Sequence, residues 1–217
     1  MNTRNSNLLR TLYYHWKNLS GKHSYNHGKG NKIQNNGIKV ASRIHLNGNN
    51  LQFIIEDGAV LLNTAVSITG NNSIIILHKH SFVEQAELVI EGNGCYIEIG
   101  NKTYVGNHTH IACTEDGLKI IIGGEGMISS YVQVRTGDSH SILDDKGIRI
   151  NEAKSVYIDK HCWLGEGCKI LKGVRLAANT VVSTGAIVTK SFNANVLIGG
   201  IPAKILKENI NWDEKRI

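Results

Sequence analysis

Aliphatic residues recur at every sixth position through the C-terminal half of the chain. The members of this six-residue series are Ile158, Leu164, Ile170, Leu176, Val182 and Val188. Small or medium-sized side chains follow the first five members by four positions: Cys162, Cys168, Val174, Thr180 and Ala186. Residues that tolerate a positive φ follow them by three positions: His161, Gly167, Gly173, Asn179 and Gly185. An inward aliphatic stack, a narrow interior and a tight turn in each repeat together predict a parallel β-helix.

A longer repeat occupies residues 45–117. Turns rich in glycine and asparagine recur every 22 residues, at Gly48-Asn49-Asn50, Gly70-Asn71-Asn72 and Gly92-Asn93-Gly94, and Glu115-Asp116-Gly117 follows at about the same interval. Aliphatic runs lie between them, at positions 53–55, 74–77, 96–99 and 120–122. We interpret each unit as a coil of ~18 residues with one corner lengthened by a turn, and we expect stacked coils to align these corners into a ridge.

The six-residue series is interrupted once. It runs through Ile122, Ile128 and Val134, reaches His140 at the next position, and resumes only at Ile158. Residues 139–155 are therefore predicted to form an inserted loop, and loops that project from a regular solenoid commonly carry functional sites. Among the ten histidines, only His140 lies at a break in the repeat. Because an imidazole can take and return a proton near neutral pH, His140 is the candidate general base.

Trp163 is the second residue that stands out from the repeat. It directly precedes an inward aliphatic residue, in a series whose other members are Lys169, Arg175, Val181 and Ile187. Its side chain is therefore expected to point outward, where a large aromatic ring favours a binding partner. That partner is either a ligand, with Trp163 as a wall of the site, or another subunit.

The two ends of the chain depart from the repeats. Residues 1–30 are interpreted as a capping segment, because Leu8, Leu9, Leu12, Tyr13 and Trp16 fall at helical spacing. A helix covering the open end of the β-helix is favoured, and a membrane-surface helix is the alternative. Residues 31–193 form the predicted β-helix domain. Residues 194–217 form a C-terminal segment in which a short helix begins near Ile205 and Trp212 anchors the tail on the solenoid.

The net charge and the cysteine spacing limit the partners and the cellular compartment that the protein can have. The formal net charge of +6 favours anionic partners, and no zinc-finger spacing, aromatic strand pattern or Lys/Arg run argues for nucleic acid. No apolar run is long enough to span a membrane, and the N-terminus lacks the apolar core of a signal peptide, so a cytoplasmic protein is expected. The four cysteines show no paired spacing. Cys162 and Cys168 lie in the inward series and are predicted to be reduced core thiols.

The hexapeptide phrase, as in Val105-Gly106-Asn107-His108-Thr109-His110, resembles the hexapeptide-repeat acyltransferases. Asp138-Ser139-His140, Gly147-Ile148-Arg149-Ile150-Asn151 and His161-Cys162-Trp163-Leu164-Gly165 resemble in particular the bacterial capsule O-acetyltransferases, including those that act on polysialic acid. The resemblance implies a left-handed β-helix with three sheets, a homotrimer with sites between subunits, and acetyl-CoA as acyl donor without a metal. It also implies that His140 is the catalytic base, and Trp163 is assigned to the catalytic site with it, as a wall that offers its indole N–H to an oxygen. Cys162 and Leu164 depart from the family's His-Val-Trp-Ile-Gly segment but conserve size.

The coenzyme A site rests on the same resemblance. Val188-Thr189-Lys190 and Gly200-Ile201-Pro202-Ala203-Lys204 resemble family segments that line the pantetheine groove and reach the coenzyme A phosphates. Lys190 and Lys204 are suited to pair with phosphates. Backbone amides around Gly165 and Ser183 are candidates to hold the pantetheine arm. Ile201 replaces the usual Asn or Ser, which removes any polar side-chain contact from that position.

Arg149 and Asp138 are assigned to the acceptor side of the site. A guanidinium matches a carboxylate bidentately, so Arg149 in the inserted loop suits an acidic sugar. The alternative is a structural ion pair of Arg149 with Asp144, Asp145 or Glu152. A carboxylate often fixes the tautomer of a catalytic histidine. Asp138 is nearest to His140 in sequence, and Asp144 and Asp145 remain alternatives.

The expected function is an acetyl-CoA-dependent O-acetyltransferase acting on a sugar hydroxyl of a bacterial surface polysaccharide, such as one that contains sialic acid. One alternative is a small-molecule or nucleotide-sugar acetyltransferase. Another is a non-catalytic β-solenoid binding protein. A γ-type carbonic anhydrase would need three zinc-binding histidines, for which His108, His110 and His140 form the conceivable set.

Overall fold

The computed structural model describes residues 24–215, which form three β-sheets and contain no helix. The first sheet, sheet A, comprises β1 (Tyr25–His27), β4 (Arg43–Asn47), β7 (Ala65–Thr69), β10 (Glu87–Glu91), β13 (His110–Thr114), β16 (Gln133–Arg135), β19 (Lys169–Ile170) and β22 (Ile187–Val188). Sheet B comprises β2 (Lys32–Asn35), β5 (Gln52–Ile55), β8 (Ile74–Leu77), β11 (Tyr96–Ile99), β14 (Lys119–Ile122), β17 (Val156–Ile158) and β20 (Arg175–Leu176). Sheet C comprises β3 (Ile38–Val40), β6 (Val60–Leu62), β9 (Phe82–Glu84), β12 (Tyr104–Val105), β15 (Met127–Ile128), β18 (Trp163–Leu164), β21 (Val181–Val182), β23 (Val196–Gly200) and β24 (Ala203–Glu208).

The chain visits sheets A, B and C in turn, so each coil gives one strand to each sheet. Every strand pair is parallel except β23 with β24. This arrangement gives the solenoid a triangular cross-section, with a sheet on each side and a turn at each corner. The parallel β-helix that the six-residue series predicts is therefore confirmed.

The aliphatic series forms the core of the solenoid. All six of its members, from Ile158 to Val188, are at most 1% exposed. Parallel pairing stacks them across coils, as in the run from Ile122 through Ile158 to Leu176. Cys162 and Cys168 are buried and free, and burial raises their pKa values to about 11 and about 12. They are core thiols, as the sequence predicts.

The Gly-Asn corners stack into the expected ridge, which continues as a ladder of side-chain amides. The Asn49 amide donates to Asn71 Oδ1 at 3.1 Å, and the Asn71 amide donates to Asn93 Oδ1 at 2.9 Å. The backbone N–H of each asparagine donates to the same oxygen as its side chain. Asp116 Oδ1 ends the series by accepting from Asn93. Each step therefore satisfies an exposed corner amide that the sheets leave unpaired.

We expect Asn71→Ala to lower the free energy of unfolding by about 0.5–1.5 kcal/mol. The substitution removes the acceptor of two hydrogen bonds from Asn49 and one donor to Asn93, but water can reach the exposed corner. Asn72→Gly is the control, because it keeps the positive φ of 55° and removes only one side-chain hydrogen bond. Urea unfolding of the two variants gives the comparison. A larger loss for Asn72→Gly would contradict the role of the ladder.

The C-terminal segment differs from the prediction. The helix expected from Ile205 is wrong, because β24 (Ala203–Glu208) pairs antiparallel with β23 at the edge of sheet C. The anchoring role of Trp212 is confirmed: its indole N–H donates to the His161 carbonyl at 2.9 Å, and its ring stacks on the His161 ring at 4.4 Å. The edge of sheet C is thus covered by a strand, and the tail returns to the solenoid through contacts of the Trp212 ring with His161 and Trp163.

The expected N-terminal helix lies outside the described residues. Within the predicted capping segment 1–30, the structure shows β1 paired with β4 of the solenoid. The division of the chain at residues 30 and 193 stays a prediction. Within residues 24–215, the structure contains no helix of the length and apolarity needed to cross a membrane.

Candidate functional site

The inserted loop leaves the solenoid at one corner. It follows β16 in sheet A and ends at β17 in sheet B, so it projects from the corner between these two sheets. The pairing of Ile120 with Val156 across this insertion spans 36 positions, whereas the pairing of Lys169 with Ile187 in the next coils spans 18. The insertion therefore adds the length of one coil without disturbing the register of the sheets.

Asn151 holds the loop together. Its side chain is 7% exposed and makes hydrogen bonds in both directions. The amide donates to the His140 carbonyl at 2.8 Å and to Asp138 Oδ2 at 3.0 Å. The Oδ1 atom accepts from the Ile142 N–H at 2.8 Å and from Arg149 Nε at 3.2 Å. One buried side chain therefore holds the His140 carbonyl, the Ile142 N–H and the Asp138 carboxylate in place.

Two ion pairs attach this loop to neighbouring coils. Lys172 Nζ lies 2.5 Å from Asp138 Oδ2 and also donates to the Asn151 carbonyl at 2.9 Å. The Arg149 guanidinium makes two hydrogen bonds to the Glu115 carboxylate, at 2.9 and 2.5 Å. The Lys172 ammonium lowers the pKa of Asp138, and the Arg149 guanidinium lowers the pKa of Glu115. Glu115 is thus the partner of Arg149, in place of the three candidates closer in sequence.

The stabilising effect of the Asp138–Lys172 ion pair should depend on pH, because it requires the ionised Asp138 carboxylate. Because the pKa of Asp138 is lowered in the folded protein, its ion pair stabilises the fold above the ordinary carboxyl pKa of about 4. This contribution is lost as the pH falls through the lower, folded-state pKa. We expect the difference in melting temperature between wild type and Asp138→Asn to be constant above about pH 5 and to shrink below about pH 4. A difference that grows in acid would contradict this assignment.

The His140 imidazole is exposed at the outer side of this loop, and among residues 24–215 it has no hydrogen-bond partner. Arg135 donates to the hydroxyl of the preceding residue, Ser139 Oγ, at 2.6 Å. Asp138 is engaged by Lys172 and Asn151, and Asp144 accepts from the N–H groups of its own turn. The loop therefore fixes the backbone of His140 and leaves both imidazole nitrogens open to a substrate or a second subunit. Which carboxylate orients His140 stays a prediction.

Trp163 lies on sheet C and packs beside the C-terminal tail. Its ring is partly buried and lies 5.9 Å from that of Trp212, and its indole N–H points to Ser129 Oγ at 3.4 Å. Gly165 and Ser183 follow β18 and β21 at the corner that joins sheet C to sheet A. An added Cβ at Gly165 would lie 2.6 Å from the backbone of the next coil, so this corner admits no side chain there. Trp163 therefore lies next to a corner formed by the small residues Gly165 and Ser183.

Lys190 and Lys204 lie in different parts of the last coils: Lys204 at the edge of sheet C, and Lys190 between sheets A and B, where Phe192 pairs with Leu176 of sheet B. Lys190 follows β22, and its ammonium lies 5.6 Å from the centre of the Phe192 ring. Lys204 is exposed on β24. Neither ammonium forms an ion pair with a residue of the 24–215 region. Both charges therefore remain available at the end of the solenoid where the sequence predicts the coenzyme A phosphates.

The predicted site residues fall into two groups. His140, Asp138 and Arg149 lie on the loop at the corner between sheets A and B. Trp163 lies on sheet C, which is opposite that corner in a triangular cross-section. A single chain therefore does not bring the candidate base and the candidate aromatic wall together.

Comparison with known proteins identifies the family. No family model matches the chain. A curated relative, the polysialic acid O-acetyltransferase of Neisseria meningitidis, is 36% identical over 186 residues, covering 84% of this chain and 85% of that protein. The chain belongs to the hexapeptide-repeat acyltransferases. It is an O-acetyltransferase, and its solenoid is the left-handed β-helix of that family.

Solved structures agree with this family assignment. The polysialic acid O-acetyltransferase OatWY superposes with a TM-score of 0.77 at 32% identity, covering 90% of this chain and 93% of that chain. The polySia-specific acetyltransferase NeuO superposes with a TM-score of 0.78 at 28% identity, covering 89% of this chain and 82% of that chain. A hexapeptide-repeat acetyltransferase of Vibrio cholerae, complexed with acetyl coenzyme A, gives a TM-score of 0.51 at 26% identity, with coverages of 63% and 72%.

The histidines considered for a zinc site have other surroundings in this acyltransferase. His108 stacks on Tyr131 at 4.9 Å, and His110 Nδ1 lies 2.8 Å from Glu87 Oε2. In the part of the chain that the structure describes, no three His, Cys, Asp or Glu side chains are grouped so as to hold a metal ion.

Three residues that support the acyltransferase loop escaped the sequence analysis. The sequence places Asn151 only in a motif and Glu115 only in a turn of the 22-residue repeat, and nothing in it singles out Lys172. Glu115 lies 34 positions before Arg149, and Lys172 lies 34 positions after Asp138. Only the number of residues in each coil, including the insertion, could have placed these pairs in contact.

Proposed function

We propose that this O-acetyltransferase transfers the acetyl group of acetyl-CoA to a sugar hydroxyl of a bacterial surface polysaccharide that contains acidic sugars such as sialic acid. We further propose that it acts in the cytoplasm as a homotrimer. The observation that carries the proposal is the exposed His140 imidazole, held on a loop that Asn151 and two ion pairs fix to the solenoid. The similarity to polysialic acid O-acetyltransferases supports the choice of acceptor.

The chemistry follows from an open imidazole. His140 takes the proton of the sugar hydroxyl as the oxygen attacks the thioester carbonyl carbon. The new C–O bond forms and the C–S bond breaks, and the imidazolium returns its proton to the departing coenzyme A thiolate. The fixed loop contributes by holding the base in one position, which reduces the entropy lost on reaching the transition state.

Acetyl-CoA as donor is supported by the charges at the C-terminal end of the solenoid. Lys190 and Lys204 carry ammonium groups that no acidic residue of the 24–215 region engages, and coenzyme A presents phosphates. The acetyl coenzyme A complex of the Vibrio cholerae relative supports the same donor. Ile201 stands in the connection between β23 and β24, and its 73% exposed side chain offers no polar group.

A homotrimer would unite the two groups of site residues. Packing solenoids side by side can set the loop of one chain against sheet C of the next, so that His140 meets Trp163 across the interface. The outer part of the loop also supports assembly, because it carries four aliphatic side chains that are 54–62% exposed: Ile142, Leu143, Ile148 and Ile150. Such a concentration of exposed apolar groups favours burial against another subunit. Light scattering that shows a monomer at micromolar concentration would contradict the assembly.

A transfer assay tests the acceptor. The enzyme is incubated with labelled acetyl-CoA and polysialic acid, a polyuronic acid, dextran or free sialic acid, and the label in each polymer or free sugar is counted. We expect label in polysialic acid above all and none in dextran. Label in free sugars alone would replace the proposal with a small-molecule acetyltransferase. Coenzyme A binding without transfer to any acceptor would also contradict it.

Salt should weaken the use of an acidic acceptor. Attraction between the net charge of +6 and a polyanion is screened as the Debye length falls from ~30 to ~8 Å between low and physiological ionic strength. We expect the apparent KM for polysialic acid to rise over this range, and the KM for acetyl-CoA to rise with it. Arg149→Ala tests whether Arg149 binds the acceptor, in which case the KM for polysialic acid should rise. The ion pair of Arg149 with Glu115 argues against this role, because it already engages the guanidinium. Salt-independent KM values would show that the basic surface serves another purpose.

A further inference from the structure

A trough runs along the outer face of sheet A and ends at the loop that carries His140. Its floor is one row of outward residues, paired strand by strand from β1 to β16: Tyr25, His45, Ser67, Val89, Ala112 and Arg135. The middle members are small, whereas larger side chains stand at both ends. Two cavities of about 360 and 290 Å³ share Ser67 and Glu87, so the depression is continuous.

The end of the trough nearest to His140 contains polar groups without partners. Thr114 is 8% exposed, and its hydroxyl is buried and unpaired within the described residues. The Nε atom of Arg135 is likewise buried without an acceptor, although its guanidinium donates to Ser139. Both residues line the smaller cavity. Buried polar groups are nearly always hydrogen-bonded, so two orphans beside one cavity indicate a polar ligand.

The remaining lining suits a sugar. The carboxylates of Glu87 and Glu91 accept hydrogen bonds from hydroxyl groups, and Glu87 is held in place by His110 at 2.8 Å. Arg135 supplies a donor for a ring oxygen or a sugar carboxylate. A volume of about 290 Å³ lies at the lower limit of ordinary ligand sites, which span about 300–1,000 Å³, and therefore fits a single unit.

We propose that this trough binds the acceptor chain beyond the reacting sugar, with the Thr114–Arg135 end holding the unit next to the one acetylated at His140. The inference rests on the proposed function, because it takes the ligand to be the acceptor. Ser139, which directly precedes His140, lines the same cavity. The five strand steps between β16 and β1 give the trough a length of about 24 Å at about 4.8 Å per step, enough for several sugar units.

Thr114→Val tests the site without damage to the fold. The substitution keeps the shape of the side chain and removes a hydroxyl that bonds to nothing in the described structure. We expect it to raise the KM for sialic acid oligomers of two or more units about three- to ten-fold, with the KM for acetyl-CoA and the rate with a single sugar unchanged. Thr69→Val is the matched control, because Thr69 is exposed and stands in register with Thr114, two coils away in sheet A. Tyr25→Ala, at the far end, should affect only longer oligomers.

Direct binding separates this proposal from the proposed function. Oligomer binding is measured by saturation-transfer NMR without acetyl-CoA, for wild type, Thr114→Val and Thr69→Val. Binding weakened only by Thr114→Val supports the trough even if no acetyl transfer is found. Transfer to polysialic acid with equal KM values in all three proteins would overturn the trough and leave the function standing. Absence of both binding and transfer would overturn both.

Discussion

His140→Ala should lower kcat for acetyl transfer by about 10²- to 10⁴-fold, the usual cost of removing a general base. The KM for acetyl-CoA should stay the same, because the residues assigned to coenzyme A binding, Gly165, Ser183, Lys190 and Lys204, do not include His140. Stability should also stay within about 0.5 kcal/mol, since the exposed imidazole makes no hydrogen bond to a described residue. Initial rates and urea unfolding together measure the three quantities.

His80→Asn is the control for this variant. His80 is also exposed and lies in a turn at a φ of 60°, which asparagine tolerates. The His80→Asn variant should keep full acetyl-transfer activity. A loss of less than about tenfold in His140→Ala would exclude His140 as the base. Equal losses in both variants would indicate that histidine replacement disturbs the solenoid in general.

Asn151→Ala should lower kcat by about 10- to 100-fold without unfolding the solenoid. The substitution removes four hydrogen bonds and leaves the His140 carbonyl and the Ile142 N–H without their partner. The loop then loses its fixed conformation, and displacement of a catalytic group by about 1 Å can cost as much as 10²-fold in rate. The core of the β-helix contains none of these bonds, so global unfolding should change little.

Two measurements check this prediction. Initial rates give kcat, and the hydrogen-exchange rate of the Ile142 N–H reports the loop directly and should rise. Asn193→Ala is the matched control, because Asn193 is exposed and its side chain makes no hydrogen bond in the described structure. Normal exchange at Ile142 with reduced kcat would mean that Asn151 contacts the substrate instead of positioning the loop.

The solenoid was predictable because its signal is local and repeated. Each member of the series at Ile158, Leu164 and Ile170 points inward for the same reason, so one pattern gives the sheets, the turns and the core. The C-terminal strand was not predictable in this way. Five of the six residues of β24 are exposed, so no alternation of buried and exposed positions distinguishes a strand from a polar helix. Only its pairing with β23 makes it a strand.

The site residues also differ in whether the sequence alone reveals them. His140 could be found because a polar residue interrupts an aliphatic series, which is visible in the sequence alone. Its supports could not be found, because Glu115 and Lys172 meet the loop only through the stacking of coils. The unpaired Thr114 hydroxyl is similarly invisible in the sequence, since Thr114 continues a strand without any change of pattern.

The asparagine ladder makes the solenoid modular. Successive steps from Asn49 through Asn71 to Asn93 repeat at 22 residues with the same hydrogen bonds, so one coil can be removed or duplicated there and the ladder re-forms. The ladder ends at Asp116, whose side-chain carboxylate can accept a hydrogen bond but cannot donate one to a further coil. Asp116 precedes the inserted loop in the chain. Each added coil would lengthen sheet A by about 4.8 Å and leave the His140 loop untouched. The reach of the acceptor trough and the chemistry at its end can therefore evolve, or be engineered, as separate variables.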